Sequence, residues 1–336
     1  MLNEALMTIA RRIMAEEGGC LHREEAMALV PGTPAEALDL ISCANKIRDH
    51  FMHRHIFKCG IINAKSGRCA EDCAFCAQSA HHQSPVAVYG LRSCEELVQS
   101  GLALAEAGAN HYGIVTSGTA LNDDEIDVVC QAARILKDQS GLKLCASLGM
   151  LTGSSAHKLK EAGISRYHHN IETAPSHFTH ICSTHAFEDD LDTLQVARSA
   201  GMEICSGGIL GMGESWEQRV EMAFLLKDLD VDTIPINFLN PIEGTRLAQR
   251  PLLEPLEALA CIALFRFIHP CRDVTICGGR EKTLRDFQSW VFFAGANGLM
   301  IGNYLTTAGR SIDTDLEMIG HFGLRESPSP GPCVAG

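Results

Sequence analysis

Short apolar runs alternate with amphipathic stretches from residue 55 to residue 301, and nothing else in the sequence limits the fold as strongly. The runs that read as strands are His55–Asn63, His111–Thr116, Leu142–Ser147, Arg166–Ile171, Glu203–Ser206, Thr233–Phe238, Val274–Cys277 and Gly298–Ile301. Between them, helical spacing predicts helices over Glu95–Ala107, Asp123–Gln139, Ser154–Ala162, Asp189–Ser199, Trp216–Leu229, Leu253–His269 and Arg285–Ala294. Ala107-Gly108, Ala162-Gly163 and Ala200-Gly201 punctuate the pattern, because a glycine just past a helix turns the chain toward the next strand. Eight such alternations predict a parallel sheet closed into a (β/α)8 TIM-type barrel over residues 51–325. Chemistry in such a barrel gathers at the C-terminal ends of the strands.

Residues 1–50 carry their own helical periodicity, as at Ala5, Ile9 and Ile13, and read as an N-terminal helical arm outside the barrel. Thr33 is an N-cap there, with Pro34 at the first helical position and Glu36 closing the capping box. Cys20 and Cys43 in this arm are expected to be inert. Residues 326–336, with Ser327-Pro328-Ser329-Pro330-Gly331-Pro332, read as a disordered tail. No apolar run is long enough to span a bilayer and no secretory leader is evident, so the chain is expected to be cytoplasmic. A net charge of −13 argues against a nucleic-acid partner. The 15 cysteines are scattered along 336 residues, which disfavours a disulfide framework and suits iron–sulfur chemistry in a reducing compartment.

Three of those cysteines, Cys69, Cys73 and Cys76, fall at C-x3-C-x2-C directly after the first predicted strand. Three thiolates on one tight loop satisfy three irons of a cubane [4Fe–4S] cluster and leave the fourth iron open for catalysis. They make an incomplete structural zinc site, which needs a fourth ligand. The competing reading, three small buried cysteines, is weakened by Glu71 and Asp72 inside the run, which favour a solvent-side loop.

The run resembles the signature of the radical S-adenosylmethionine (SAM) superfamily. With its flanks Asn63–Gly67 and Gln78–Ala80 it resembles the biotin synthase family. The resemblance continues through His169–Thr173, Cys205–Glu214, Pro235-Ile236-Asn237, Gly279-Arg280-Glu281, Ala294–Asn297 and Leu305-Thr306-Thr307. It implies the radical SAM form of the barrel, a homodimer, and a flavodoxin- or ferredoxin-type electron donor. It implies that Cys69, Cys73 and Cys76 hold the cubane and that SAM chelates its open iron. Phe75 and Ile209 would flank the adenine, Asn170 and Glu172 would meet the ribose, and Thr116 and Ser117 would complete the SAM contacts. Asn170 and Asn237 would hydrogen-bond the ureido ring of dethiobiotin, which suits an amide offering both donor and acceptor. Thr306 and Thr307 would receive its carboxylate. The implied activity is SAM cleavage to a 5′-deoxyadenosyl radical, hydrogen abstraction from dethiobiotin, and closure of a thiophane ring with sulfur from a second cluster. No acid–base pair is required. Plainer readings compete: Asn170 and Asn237 as buried structural amides, Phe75 and Ile209 as core, Thr306 and Thr307 as helix caps.

The sequence departs from the family at that second cluster, which the resemblance makes a [2Fe–2S] centre held by three cysteines and an arginine. His111-Tyr112-Gly113 stands where one cysteine is expected and Thr275 where the arginine is, leaving Cys145 and Cys205. Cys59 and Cys277 are cysteines at family serines. Residues two apart on a strand share a face, so Cys277 points inward if Thr275 does. Cys59, Cys145, Cys205 and Cys277 then suit an all-cysteine auxiliary iron–sulfur cluster, four-iron rather than [2Fe–2S], with Gly113 and Gly298 making room. The alternative is a barrel that has lost its second cluster and kept four small buried cysteines. Asp190 stands where the family has an arginine for the SAM carboxylate, so His180 or His185 must supply the cation or SAM sits differently. The rival assignments are a hydrogenase-maturation or methylornithine-forming radical SAM enzyme, and an iron–sulfur carrier or redox sensor that cleaves no SAM.

Overall fold

The structure, a computed structural model, describes residues 3–15 and 21–326. Its strands are β1 Phe57–Lys65, β2 His111–Thr116, β3 Lys143–Ser147, β4 Ile164–His168, β5 Glu203–Cys205, β6 Gly208–Leu210, β7 Thr233–Phe238, β8 Asp273–Ile276 and β9 Gly298–Met300. They lie parallel in the order β5-β4-β3-β2-β1-β9-β8-β7-β6, and β5 pairs with β7 to close the ring. β5 and β6 are two halves of one strand, broken at Ser206-Gly207, so the barrel has eight staves as the alternation predicts. Gly207 is required at the break, because a Cβ there would collide with the Pro235 carbonyl oxygen.

The helices are α1 Glu4–Ala15, α2 Arg23–Ala28, α3 Pro34–Met52, α4 Cys94–Glu106, α5 Asp123–Gln139, α6 Gly153–Ala162, α7 Pro175–Ile181, α8 Phe187–Ser199, α9 Trp216–Asp228, α10 Pro255–Ile268, α11 Arg280–Leu284, α12 Trp290–Phe293 and α13 Ile312–His321. Side-chain caps start several of them, each worth about 1 kcal/mol. Thr33 Oγ1 accepts from the Glu36 N–H at 3.3 Å while Glu36 accepts from the Thr33 N–H, as the sequence suggests. Every residue of α10 from Ala258 to Ile268 is buried, because α3 lies across its outer face with Ala37, Leu40, Ala44 and Ile47 buried. Cys43 is buried on this same helix. Cys20 and residues 327–336 of the expected tail lie outside the described residues. Among the described residues no helix is long and apolar enough to cross a membrane.

Three local departures bear on the site. The fourth strand ends at His168 rather than Ile171. Beyond it the chain follows the broken fifth strand by single hydrogen bonds, and Glu172 sits at φ 59°. The expected helix over 285–294 splits. Arg280 starts α11 because its guanidinium is drawn into a buried pair with Asp315 at 2.5 Å, and Arg285 at φ 48° ends that helix. Where the sequence disfavours a disulfide framework, Cys271 is disulfide-bonded, while the other 12 described cysteines are free thiols.

Candidate active site

β1 delivers the chain to the mouth of the barrel, where Gly67 (φ 77°) and Arg68 (φ 54°) both adopt left-handed backbone and turn it sharply. Gln78 clamps the base of the loop that follows. Its Oε1 accepts from Ser66 Oγ at 3.0 Å and from the Gly67 N–H at 3.2 Å. The Cys69 N–H donates to the Gln78 carbonyl at 2.9 Å, and the Ala80 N–H to the Cys69 carbonyl at 2.8 Å. The flanking residues that carry the resemblance are thus the clamps that shape the cysteine loop. The Cys76 N–H donates to the Cys73 carbonyl at 3.0 Å, a tight turn that brings these two cysteines round to one side. Burial pushes the Cys76 thiol up to about 11.

The loop is embedded in charge. Despite some burial, hydrogen bonds from the Ser183 hydroxyl and N–H hold the Asp72 carboxyl well below its usual range. Cys182 Sγ lies 3.3 Å from Asp72 Oδ1 and 3.9 Å from Cys73 Sγ. Glu71 accepts from Thr119 Oγ1 at 2.7 Å and sits 2.7 Å from His185 Nδ1. Glu71, Cys182 and His185 offer a carboxylate, a thiol and an imidazole within 4.8 Å of one another. The other ring nitrogen of His185 is 3.4 Å from Asp190, whose second oxygen is 2.8 Å from His169 Nε2. Its bond to Asp190 raises His185 to about 10, so the imidazole is charged at neutral pH. Of the two candidate histidines, His185 lines the cavity; His180 stacks on His177 at 5.2 Å and does not. Glu71 and Cys182 were not foreseen as site residues, though Cys182-Ser183-Thr184-His185 was there to be read.

One cavity of about 410 Å³ runs from this rim into the barrel. Cys73, Cys76, Phe75, Thr116, Asn170, Glu172, Ile209, Asn237, Thr306 and Thr307 all line it. Phe75 and Ile209 belong to a small apolar cluster with Ile181, Met212 and Leu239. Asn170 Oδ1 accepts from the Gly207 N–H at 3.2 Å and Asn237 Oδ1 from the Gly278 N–H at 3.0 Å, so each amide braces the backbone while facing the cavity. Burial, then the charge of Asp190, raises Glu172 to about 8. Thr306 and Thr307 cap no helix; they lie in the loop before α13, whose N-cap is Ser311. Ser117 is not brought to the cavity: its hydroxyl donates to the Gly67 carbonyl at 2.9 Å and is used up bracing the loop.

Cys59 on β1, Cys145 on β3, Cys205 on β5 and Cys277 just past β8 line the deeper part of the same cavity. Burial pushes all four thiols up, Cys145 to about 12. Cys59 is raised further by Cys145 and Cys277, and Cys205 by Cys145 and Cys59, so the four sense one another across the barrel. His168 Nδ1 lies 3.3 Å from Cys205 Sγ. Gly113 lines this floor; Gly298 does not, and its missing Cβ instead makes way for Thr275 Oγ1. The floor also holds Arg166, which the sequence reading treated only as part of a strand.

Comparison with known proteins agrees with this arrangement. The radical SAM superfamily profile matches residues 64–226, and the biotin and thiamin synthesis associated domain profile matches residues 235–325. The chain is 54% identical over 320 residues to a biotin synthase of Syntrophus aciditrophicus, covering 95% of this chain and 98% of that one. It is 49% identical over 324 residues to a biotin synthase of Citrifermentans bemidjiense, covering 96% and 98%. In fold it is similar to methylornithine synthase (TM-score 0.81, 19% identity, 96% of this chain and 98% of that one). It is also similar to the FeFe-hydrogenase maturase HydG of Carboxydothermus hydrogenoformans (TM-score 0.79, 17% identity, 96% and 79%). With two profiles that follow one another along the barrel and relatives matching at about half of all positions over nearly the full length, the chain belongs to the biotin synthase family of radical SAM enzymes.

Proposed function

We propose that this chain converts dethiobiotin to biotin by radical sulfur insertion, with a cubane at the rim and an all-cysteine, four-iron auxiliary centre at the floor. The observation that carries the reading is a single cavity lined by Cys73 and Cys76 of the rim loop, though not by Cys69, and by four thiols on or just past four strands. The donor chemistry fits both groups. Cys69, Cys73 and Cys76 are soft ligands on one clamped loop, and the half-buried Cys59 and the buried Cys145, Cys205 and Cys277 face a common space. When bound, the rim cluster with SAM supplies a carbon-centred radical, and the floor cluster supplies sulfide.

The chain's own residues then bind, orient and exclude water. Phe75 and Ile209 offer apolar walls for the adenine. Glu172, protonated near neutrality, presents both a donor and an acceptor to the ribose hydroxyls. His185, held between Glu71 and Asp190, supplies the cation for the SAM carboxylate in place of the missing arginine. Asn170 and Asn237 take the ureido ring, and Thr306 and Thr307 the carboxylate, so the substrate lies between the two ends of the cavity. A flavodoxin- or ferredoxin-type protein delivers the electron, and the enzyme works as a homodimer.

The test is anaerobic reconstitution followed by turnover with dethiobiotin and SAM, counting iron and sulfide. Two four-iron centres predict about eight irons per chain, and biotin formed with loss of sulfide. About four irons with 5′-deoxyadenosine but no biotin would leave only a generic SAM-cleaving enzyme. Absence of 5′-deoxyadenosine would return the chain to a carrier or sensor role.

A further inference from the structure

Arg166 is an unexpected residue to find on a barrel floor. It lies mid-strand on β4, in register with Cys145 on β3 and Glu203 on β5, two residues before His168, which pairs with Cys205. Its side chain is only 6% exposed. Burying a guanidinium costs free energy unless its charge and its N–H groups are matched. Glu203 matches part of it, accepting from Nε at 3.0 Å and from Nη2 at 2.6 Å through one oxygen. The guanidinium lies 5.0 Å from the centre of the Phe57 ring, which in turn stacks on His111. Nη1 is buried with no hydrogen-bond partner.

Nη1 is not alone. Thr233 Oγ1 and Thr275 Oγ1 are also buried without partners, and both residues line the cavity with the four thiols. A buried donor left unpaired is destabilising, so several around one space point to an occupant rich in acceptors. Four thiolates around an iron–sulfur core form such an occupant, and they carry net negative charge in a dry place.

We propose that Arg166 is the countercharge of the floor centre, its Nη1 donating a hydrogen bond to a sulfur of the cluster held by Cys59, Cys145, Cys205 and Cys277. This rests on reading those four thiols as cluster ligands. Arg166 is a positioning residue here and not an iron ligand. A nitrogen that binds iron must first lose its proton, and Nε and Nη2 of Arg166 already donate theirs to the Glu203 carboxylate. Hydrogen bonds and positive charge near cluster sulfurs raise the reduction potential, because the added electron is better stabilised.

The experiment uses the full chain with Cys69, Cys73 and Cys76 changed to alanine, so that only the floor is loaded, after anaerobic reconstitution with iron and sulfide. Midpoint potential and the rate of iron loss to a chelator are measured in this parent and in Arg166→Gln, Arg166→Lys and Glu203→Gln. Arg166→Gln lowers the potential and speeds iron loss by roughly tenfold to a hundredfold, the equivalent of one charge-assisted hydrogen bond. Arg166→Lys stays closer to the parent. Glu203→Gln, at a side chain 44% exposed and so safe for folding, moves the potential the opposite way, because it removes the opposing negative charge. An unchanged potential and an unchanged rate in Arg166→Gln and Glu203→Gln overturn the proposal. An equal shift in Arg166→Lys also overturns it, since packing rather than charge would then be responsible. A parent that takes up no iron overturns the cluster reading itself and this proposal with it.

Discussion

The rim and the floor of one cavity both present cysteine thiols, and they are built in opposite ways. At the rim the cysteines lie within Cys69–Cys76, shaped by two left-handed residues and the Gln78 clamp, amid Glu71, Asp72 and His185. At the floor they come from four separate staves and are brought together only by sheet register. Burial raises the thiols at both ends, Cys76 as well as Cys59, Cys145, Cys205 and Cys277, but only the rim cysteines sit among charged side chains at the mouth of the barrel. The difference matches the tasks proposed for the two ends: a charged rim suits a charged cofactor, and thiols deep in the barrel suit a sulfur centre sheltered from solvent.

The sharpest way to break this contrast is at the rim. Replacing Cys69, Cys73 or Cys76 by alanine drops 5′-deoxyadenosine formation to the uncatalysed background, read by chromatography of the quenched reaction; residual turnover would detach the loop from SAM cleavage. Floor replacements act differently. Alanine at Cys59, Cys145, Cys205 or Cys277 keeps SAM cleavage, abolishes biotin, and lowers bound iron from about eight to about four per chain, measured by iron assay. A floor variant that loses both activities together would merge the two ends into one unit.

Smaller effects sharpen the comparison. Asp190→Asn removes the anion that holds His169 and His185, and weakens SAM binding to the reconstituted protein roughly tenfold to a hundredfold, the worth of a charged hydrogen bond. Equilibrium binding checks it. The smallest effect is on stability. Glu172 has a folded pKa raised from 4.5 to about 8, so the folded chain binds the extra proton. That contribution is complete below the unfolded value of 4.5 and is lost as pH climbs toward about 8. Thermal unfolding of the cluster-free chain should therefore show a Tm falling over this window, and Glu172→Gln should flatten the fall by a few degrees.

Much of the barrel was legible because its signals are local. β2 and β7 and the helix over Asp123–Gln139 fall where the alternation puts them, since apolar runs and the Asn122 and Ser215 caps act within a few residues. The second half of the fifth strand, α7 and α13 were not foreseen. β6 is three residues long and α7 is seven, too short for periodicity to register. The rim cysteines were legible from spacing alone. The floor cysteines were legible only through resemblance and strand parity, and the structure brings all four to one space. Arg166 and Cys182 escaped notice for one reason: their partners are remote in the chain, Glu203 for the first and Asp72 and Cys73 for the second.

The strand register that gathers the floor also dictates when it can exist. Cys277 follows the seventh stave, so a growing polypeptide cannot bring the four floor thiols together until almost the entire barrel has been synthesised and has closed. The rim loop, complete by Gln78, needs no such wait. Metal uptake at the proposed floor centre would therefore report finished folding. On the proposed reading, iron for the floor would be taken up only after the barrel has closed, later than the rim loop is complete.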